Sequence, residues 1–367
     1  NKNNNLDIKK YNVIVIMVES LSAKFMGKFG NADSITPNLD KLADESIFFT
    51  NFYATGTRTV RGLEAVSLSV PPTPGSSIIR RPNNANLFNA STIFKQAGYE
   101  ISFIFGGYSY FDNLNKFFSS NNYKVIDRSD FSSEEISFSN VWGVADEDLL
   151  FKGLVELDKN YQSGKPFFSL IMTTSNHRPY TFPEGRIDLP SGGGRNAAVK
   201  YTDYAIGRFF EEARKKEWFK DTIFVITADH CAASAGKVNL PVAQYHIPLM
   251  IYNPHILKPK QVNNLASQID IIPTILGILN LPHNTKLWGS DILNFPANRA
   301  FISTYQLLGY IKDEYLIILA PNTKAKAYQV SGTKQHEIDD AKDLTQEAIS
   351  FFQSASNFYE SGELVEK

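Results

Sequence analysis

The sequence predicts an α/β protein with a doubly wound, mostly parallel sheet and helices on both faces. Three observations lead there. Continuous β-branched, apolar runs such as residues 11–18 (YNVIVIMV) suit central strands covered on both sides. Helical spacing of apolar residues falls between such runs. Strands and helices then alternate over about 290 residues. In such a sheet the ligand site lies at the carboxyl ends of the strands.

Residues 167–172 (FFSLIM), 222–227 (TIFVIT) and 248–252 (PLMIY) read as further strands of the same kind. Tyr201, Tyr204, Ala205, Phe209 and Ala213 follow helical spacing, which predicts a helix over 199–216. Two segments read as loops. Residues 80–87 follow the proline-rich Pro71-Pro72-Thr73-Pro74-Gly75, and 183–195 carries Ser191-Gly192-Gly193-Gly194. The pattern changes near Asn298. Residues 300–303, 308–312, 315–319 and 326–330 read as a small antiparallel sheet, and 339–357 as an amphipathic closing helix. The chain therefore divides into a main domain, 1–297, and a small C-terminal α+β subdomain, 298–367.

Composition narrows the function classes. The 37 Lys+Arg against 38 Asp+Glu give a net charge of −1, which supplies no global attraction to nucleic acid. The single Cys231 excludes an intrachain disulfide and a cysteine-based zinc cluster. No apolar run reaches the 18 residues or so that a membrane span needs. The polar opening Asn1-Lys2-Asn3-Asn4-Asn5 runs into a strand within a dozen residues, as expected of a piece of a longer chain.

Three local signals carry chemistry. Glu19 and Ser20 end the first strand, where Glu19 is a candidate ligand and Ser20 a candidate helix cap. Asp229 and His230 end the strand 222–227 and offer one oxygen and one nitrogen to a divalent metal. Thr57, Arg58, Thr59 and Arg61 lie where a loop enters a helix, and a helix N-terminus favours an anion such as phosphate. Either threonine is a nucleophile only if a base or metal activates it; otherwise it merely caps the helix. Arg58 and Arg61 are candidates for phosphate oxygens or for structural ion pairs. Cys231 reads as a small buried thiol, and His255, His283 and His336 as surface residues.

Glu19, the threonines and Asp229-His230, in this order, resemble the alkaline phosphatase superfamily. Within it they resemble the sulfatase-like branch of lipoteichoic acid synthases and phosphoglycerol transferases. Residues 36–43 (TPNLDKLA) look like the segment that follows the first metal ligand in sulfatases. Ser175-Asn176-His177-Arg178-Pro179-Tyr180 resembles the branch's N-H-x-P-[YF] motif. His246-Ile247-Pro248-Leu249 resembles the motif of a second substrate-side histidine, and 268–276 (QIDIIPTIL) the late D-x-x-P-T-L-L helix. The resemblance runs from about residue 10 to 295.

The resemblance implies one divalent metal on Glu19, Asp229 and His230, with Thr59 as fourth ligand and nucleophile. Thr57 is the competing hydroxyl; related transferases use the second one of a Gly-Thr-x-Thr pattern. His177 and His246 would act on the substrate phosphate or the leaving group. Arg58, Arg61, Asp112 and Asn113 would bind substrate. A hard oxygen set with one His suits Mn²⁺, with Zn²⁺ or Mg²⁺ as alternatives.

Departures sharpen the expectation. The C/S-x-P-S-R motif of sulfatases is missing, which argues against sulfate ester hydrolysis. A single cysteine argues against the disulfide-bearing phosphoethanolamine transferases. The expectation is a phosphoglycerol transferase on the outer side of a membrane, an ectodomain of the cell envelope. Its donor would be phosphatidylglycerol and its acceptor a glycan or polymer hydroxyl. A phosphoethanolamine transferase, a phosphodiesterase or sulfatase-like hydrolase, and a non-catalytic domain that binds a glycan or lipid headgroup are the alternatives.

Overall fold

The computed structural model describes residues 10–232, 240–282, 286–339 and 341–366. Ten strands come before residue 298: β1 (Asn12–Val18), β2 (Ile47–Phe49), β3 (Phe52–Tyr53), β4 (Glu100–Phe105), β5 (Lys124–Ile126), β6 (Phe167–Met172), β7 (Thr222–Ala228), β8 (Leu249–Tyr252), β9 (Lys260–Val262) and β10 (Ala266–Ser267). Seven α-helices accompany them: α1 (Pro37–Asp44), α2 (Thr59–Leu68), α3 (Ala90–Gln96), α4 (Leu114–Ser119), α5 (Asp146–Gln162), α6 (Arg195–Ala213) and α7 (Ile271–Leu279).

The main sheet has eight strands in the order β5-β4-β6-β1-β7-β8-β2-β9. β1 lies between β6 and β7, parallel to both, with Val15 opposite Leu170 and Val225. All seven β1 residues are buried, as a strand covered on both faces requires. A fully buried Val or Ile contributes about 1.5–3 kcal/mol, so this run alone fixes the sheet's centre.

One strand departs from expectation. The run at 248–252 forms β8, but antiparallel to both β7 and β2. A parallel return needs a crossover, usually helical. Among the described residues between β7 and β8 there is no α-helix, and the chain turns back beside the strand it left. An apolar run is equally apolar in either direction, so composition could not report this. α6 starts four residues earlier than its apolar spacing suggested, directly after Gly194, whose φ of +91° suits glycine.

Beyond residue 298 the strands β11 (Arg299–Ser303), β12 (Leu308–Lys312), β13 (Tyr315–Leu319), β14 (Lys326–Ser331) and β15 (Lys334–Ile338) form one antiparallel sheet in sequence order. The fifth strand was not foreseen. Its residues are mostly exposed and carry little apolar signal. Helix α8 (Lys342–Glu360) lies slightly later than the 339–357 expected. It packs Ala348 and Phe352 against Phe301, Tyr310 and Ile317, and this cluster also takes in Ala65 of α2 and Ile269. The last sheet therefore braces the helix that begins at Thr59.

Candidate active site

The carboxyl ends of β1 and β7 lie side by side, because Val18 and Ala228 are register partners. The next residues, Glu19 and Asp229, must then emerge together at the sheet's edge. His230 follows Asp229, and the three offer ligand atoms that all lie within 4.8 Å of one another. Thr59, the first residue of α2, donates its hydroxyl to Glu19 Oε2 at 3.3 Å. No side chain caps the N-terminus of α2, which leaves it open toward an anion.

The carboxylates are held unequally. The amides of Ser20 and His230 both donate to Asp229 Oδ1, at 2.7 Å each. Asp229 Oδ2 is buried and has no hydrogen-bond partner. Burial, and after it the Glu19 charge, pushes the Asp229 carboxyl up to about 7. Burial acts to raise Glu19 too, but His230 and the Ser20 hydroxyl outweigh it and hold Glu19 below its ordinary range. His230 Nε2 lies 3.7 Å from Glu19 Oε1 and 3.4 Å from Asp229 Oδ2. Burial acts to lower His230, yet the two carboxylates raise it on balance.

These features fit a divalent cation. Asp229 Oδ2 accepts no hydrogen bond, and an unpaired buried acceptor is costly. His230 Nδ1 sits 2.9 Å from the Cys231 carbonyl, which can only accept, so Nδ1 carries the proton. Nε2 is then the ring nitrogen that faces the carboxylates, and it is the one that would bind a metal in place of its proton.

Residues around the cluster set its geometry. Thr173 Oγ1 accepts from the Glu19 amide at 3.0 Å, and Asn176 donates to the Glu19 carbonyl at 2.9 Å. Gln268 clamps the two halves. Its amide nitrogen donates to the carbonyls of Ala228 and Asp229, both at 2.8 Å, and its oxygen accepts from the Thr55 amide at 2.9 Å. Gly62 of α2 lies so close that a Cβ there would stand 2.2 Å from the Asp229 carbonyl oxygen.

A cavity of about 610 Å³ opens above the cluster. Glu19, Thr59 and His230 line it, joined by Thr57, Arg58, Asp112 and His177. The His177 ring packs on Trp142, centroids 3.6 Å apart. Three expected substrate contacts are corrected. Arg61 is buried, with one nitrogen on Glu64 at 2.8 Å and the other on the Thr73 and Gly75 carbonyls, so its donors are spent on structure. Asn113 donates to the Ile79 carbonyl at 2.8 Å and lies outside this cavity. The His246 ring packs on Phe29 and Tyr53 with Nε2 on the Thr50 carbonyl at 2.8 Å. It does not line the cavity either.

Cys231 is buried as expected, and His255 and His336 are exposed; His283 lies outside the described residues. Sequence reasoning missed Trp142, Thr173 and the clamp role of Gln268. Asn176 and Gln268 stood inside the segments singled out; Trp142 and Thr173 carried no local signal.

The sulfatase family model matches residues 11–281. The chain is 27% identical over 312 residues to lipoteichoic acid synthase 2 of Bacillus subtilis, covering 77% of this chain and 47% of that protein. It is 25% identical over 302 residues to phosphoglycerol transferase I of Xanthomonas campestris, covering 78% and 43%. The chain thus spans about half the length of these curated relatives. Among solved structures, an alkaline phosphatase superfamily protein from Vibrio parahaemolyticus superposes with a TM-score of 0.93 at 34% identity, covering 98% of this chain and 89% of that one. The lipoteichoic acid synthase LtaP of Listeria monocytogenes shares the fold, with a TM-score of 0.82 at 22% identity over 96% and 93%. With three quarters of its length matched, the chain belongs to the sulfatase family, on the fold of the alkaline phosphatase superfamily.

Proposed function

We propose that this chain is the catalytic part of a phosphoglycerol transferase that uses Thr59 as its nucleophile. The donor is phosphatidylglycerol and the acceptor a glycan or polymer hydroxyl. The observation that carries the reading is the Thr59 hydroxyl, 3.3 Å from Glu19 Oε2, at an uncapped helix start in a cavity beside Asp229 and His230. The curated relatives named lipoteichoic acid synthase and phosphoglycerol transferase support the choice of reaction.

Glu19, Asp229, His230 and Thr59 would hold one divalent ion, manganese before zinc or magnesium. Bound there, it supplies the positive charge that favours the Thr59 alkoxide and neutralises the phosphate. The chain's own residues do the rest. Thr59 Oγ1 passes its proton toward Glu19 Oε2 and forms a bond to phosphorus. The bond from phosphorus to the diacylglycerol oxygen breaks, and His177 protonates that oxygen. Thr59 then carries phosphoglycerol. An acceptor hydroxyl gives its proton to His177 and attacks phosphorus, and the bond from phosphorus to the Thr59 oxygen breaks as that oxygen takes its proton back from Glu19. Arg58 and Asp112 flank the headgroup. Positioning and charge neutralisation supply most of the rate, as in other phosphoryl transfers. Such a reaction belongs at the outer face of a membrane. No helix among the described residues is long and apolar enough to cross one.

Incubation with phosphatidylglycerol in detergent and Mn²⁺ tests this. The parent should release diacylglycerol and gain the mass of one phosphoglycerol unit on Thr59. Thr59→Ala should do neither, with an unchanged melting temperature. An adduct on Thr57 would move the nucleophile. Release from phosphatidylethanolamine alone would replace the donor, and release with no adduct would favour direct hydrolysis.

A further inference from the structure

We propose that the rim of the Thr59 cavity, centred on Tyr110 and Val141, docks on a bilayer that contains anionic phospholipid. This rests on the phospholipid donor proposed above and identifies the surface that would meet the lipid's own membrane. The observation is a concentration of exposed apolar side chains. Eight large hydrophobic residues are exposed among the described residues, and Tyr108, Tyr110, Phe111 and Val141 are four of them. All four line this one cavity. Tyr110 and Val141 are the most exposed of the four, at 78% and 81%. Tyr108 and Tyr110 stack with centroids 5.7 Å apart, and Phe111 meets Trp142 edge-on at 5.9 Å, so the rim carries two aromatic pairs.

Charge lies beside it. A depression of about 560 Å³ shares Phe111 and Asp112 with the cavity and is lined by Arg80, Arg81 and Lys116. Asp112 is the one carboxylate on that wall, 3.4 Å from Arg80, so the edge keeps a net positive charge. Arg81 is tied to Ser76, Thr73 and Pro74 and Arg80 to Asp112, which leaves Lys116, without an ion pair among the described residues, as the cation on this wall to meet headgroups.

Aromatic side chains with a basic flank are the composition that settles at a membrane–water interface. A glycan would call for hydrogen-bonding groups across the whole rim, and Val141 and Phe111, two of its four exposed apolar residues, offer none. A stable protein interface takes about 20–30 residues a side, far more than this rim. Docking through the rim would bring a headgroup phosphate to Thr59 while the acyl chains stay in the bilayer.

The test uses Thr59→Ala protein, so that turnover plays no part. It is sedimented with vesicles of phosphatidylcholine alone and with added phosphatidylglycerol or phosphatidylserine. Stronger binding to both anionic mixtures is expected. Tyr110→Ser with Val141→Ser should lower it about tenfold, and Lys116→Glu about fivefold. Phe295→Ser, at a residue equally exposed but absent from the cavity, should leave it unchanged. Melting curves confirm that each variant is folded. Equal vesicle binding by the rim variant and its parent would overturn the proposal. So would a rim variant that keeps vesicles but loses a soluble glycerol phosphate oligomer, since the rim would then serve the acceptor. If docking through the rim holds while Thr59-competent protein releases no diacylglycerol, the docking surface stands and the donor reading falls.

Discussion

Two buried aspartates occupy similar places in this fold and are treated in opposite ways. Asp229 follows β7, and Asp146 begins α5 beside the carboxyl end of β6. Both are fully buried, and burial pushes both upward in pKa. Asp146 is closed. Its Oδ1 accepts from the Thr174 and Ser175 amides at 2.9 and 3.0 Å, and its Oδ2 from the Thr202 hydroxyl at 2.6 Å. Asp229 has one oxygen satisfied and one orphaned. A carboxylate that ties chain segments together uses every acceptor. One that awaits a ligand keeps an oxygen bare, at a cost to stability.

The largest expected effect separates these two. Asp229→Asn should lower turnover at least about 10³-fold while melting no earlier than the parent, because it relieves repulsion with Glu19. Asp146→Ala should cost about 2–4 kcal/mol and leave the turnover of folded molecules unchanged. Thermal melts and specific activity read both, and an exchange of the two outcomes would break the contrast. The histidines come next. His177→Ala should lower kcat about 10²–10⁴-fold. His246→Ala should show itself as about 1–3 kcal/mol of stability, since it removes two ring contacts and a hydrogen bond. Gln268→Ala should weaken Mn²⁺ binding about 10–100-fold by calorimetry, as the loss of a group that orients ligands does.

The smallest effect concerns a third buried aspartate. Asp203 accepts from the Asn38 and Leu39 amides at the start of α1, yet burial pushes it from 3.8 up to about 6. The native chain then holds a proton that the unfolded chain releases. Its contribution should be present below about pH 4 and lost as pH rises toward 6. Denaturation of parent and Asp203→Asn across that range should give a flatter pH slope for the variant.

Much of the site could be read in advance because each feature is local. A carboxylate after an apolar strand, a hydroxyl where a helix begins, and an Asp-His pair after another strand all declare themselves by position. Their convergence could be argued only from the order of strands. Orientation was harder. Arg61 lies two residues beyond Thr59, about 200° around the helix, so its side chain points away from the cavity. His246 bridges Tyr53 in the backbone, a pairing between residues distant in the chain. Gln268 stands in the segment that resembles the late family helix, yet its side-chain amide ties Thr55 to Asp229. Side-chain direction and long-range pairing are tertiary facts that no window of sequence contains.

The Ser303 hydroxyl donates to the Thr55 carbonyl at 2.7 Å, just before the loop that leads to Thr59. That bond carries a consequence in time. During synthesis β1 leaves the ribosome before its neighbours, with six apolar residues unpaired, and waits for β6 and then β7. Gln268 follows later, and Ser303 later still. At about 5–20 residues per second the wait from Asn12 to Ser303 is roughly 15–60 s. Of the described strands β1 is thus made before all others, and the segment before Thr59 gains its bond to Ser303 much later. A nascent chain that ends before Ser303 lacks that bond, so the segment before Thr59 is fastened only once β11 has been made.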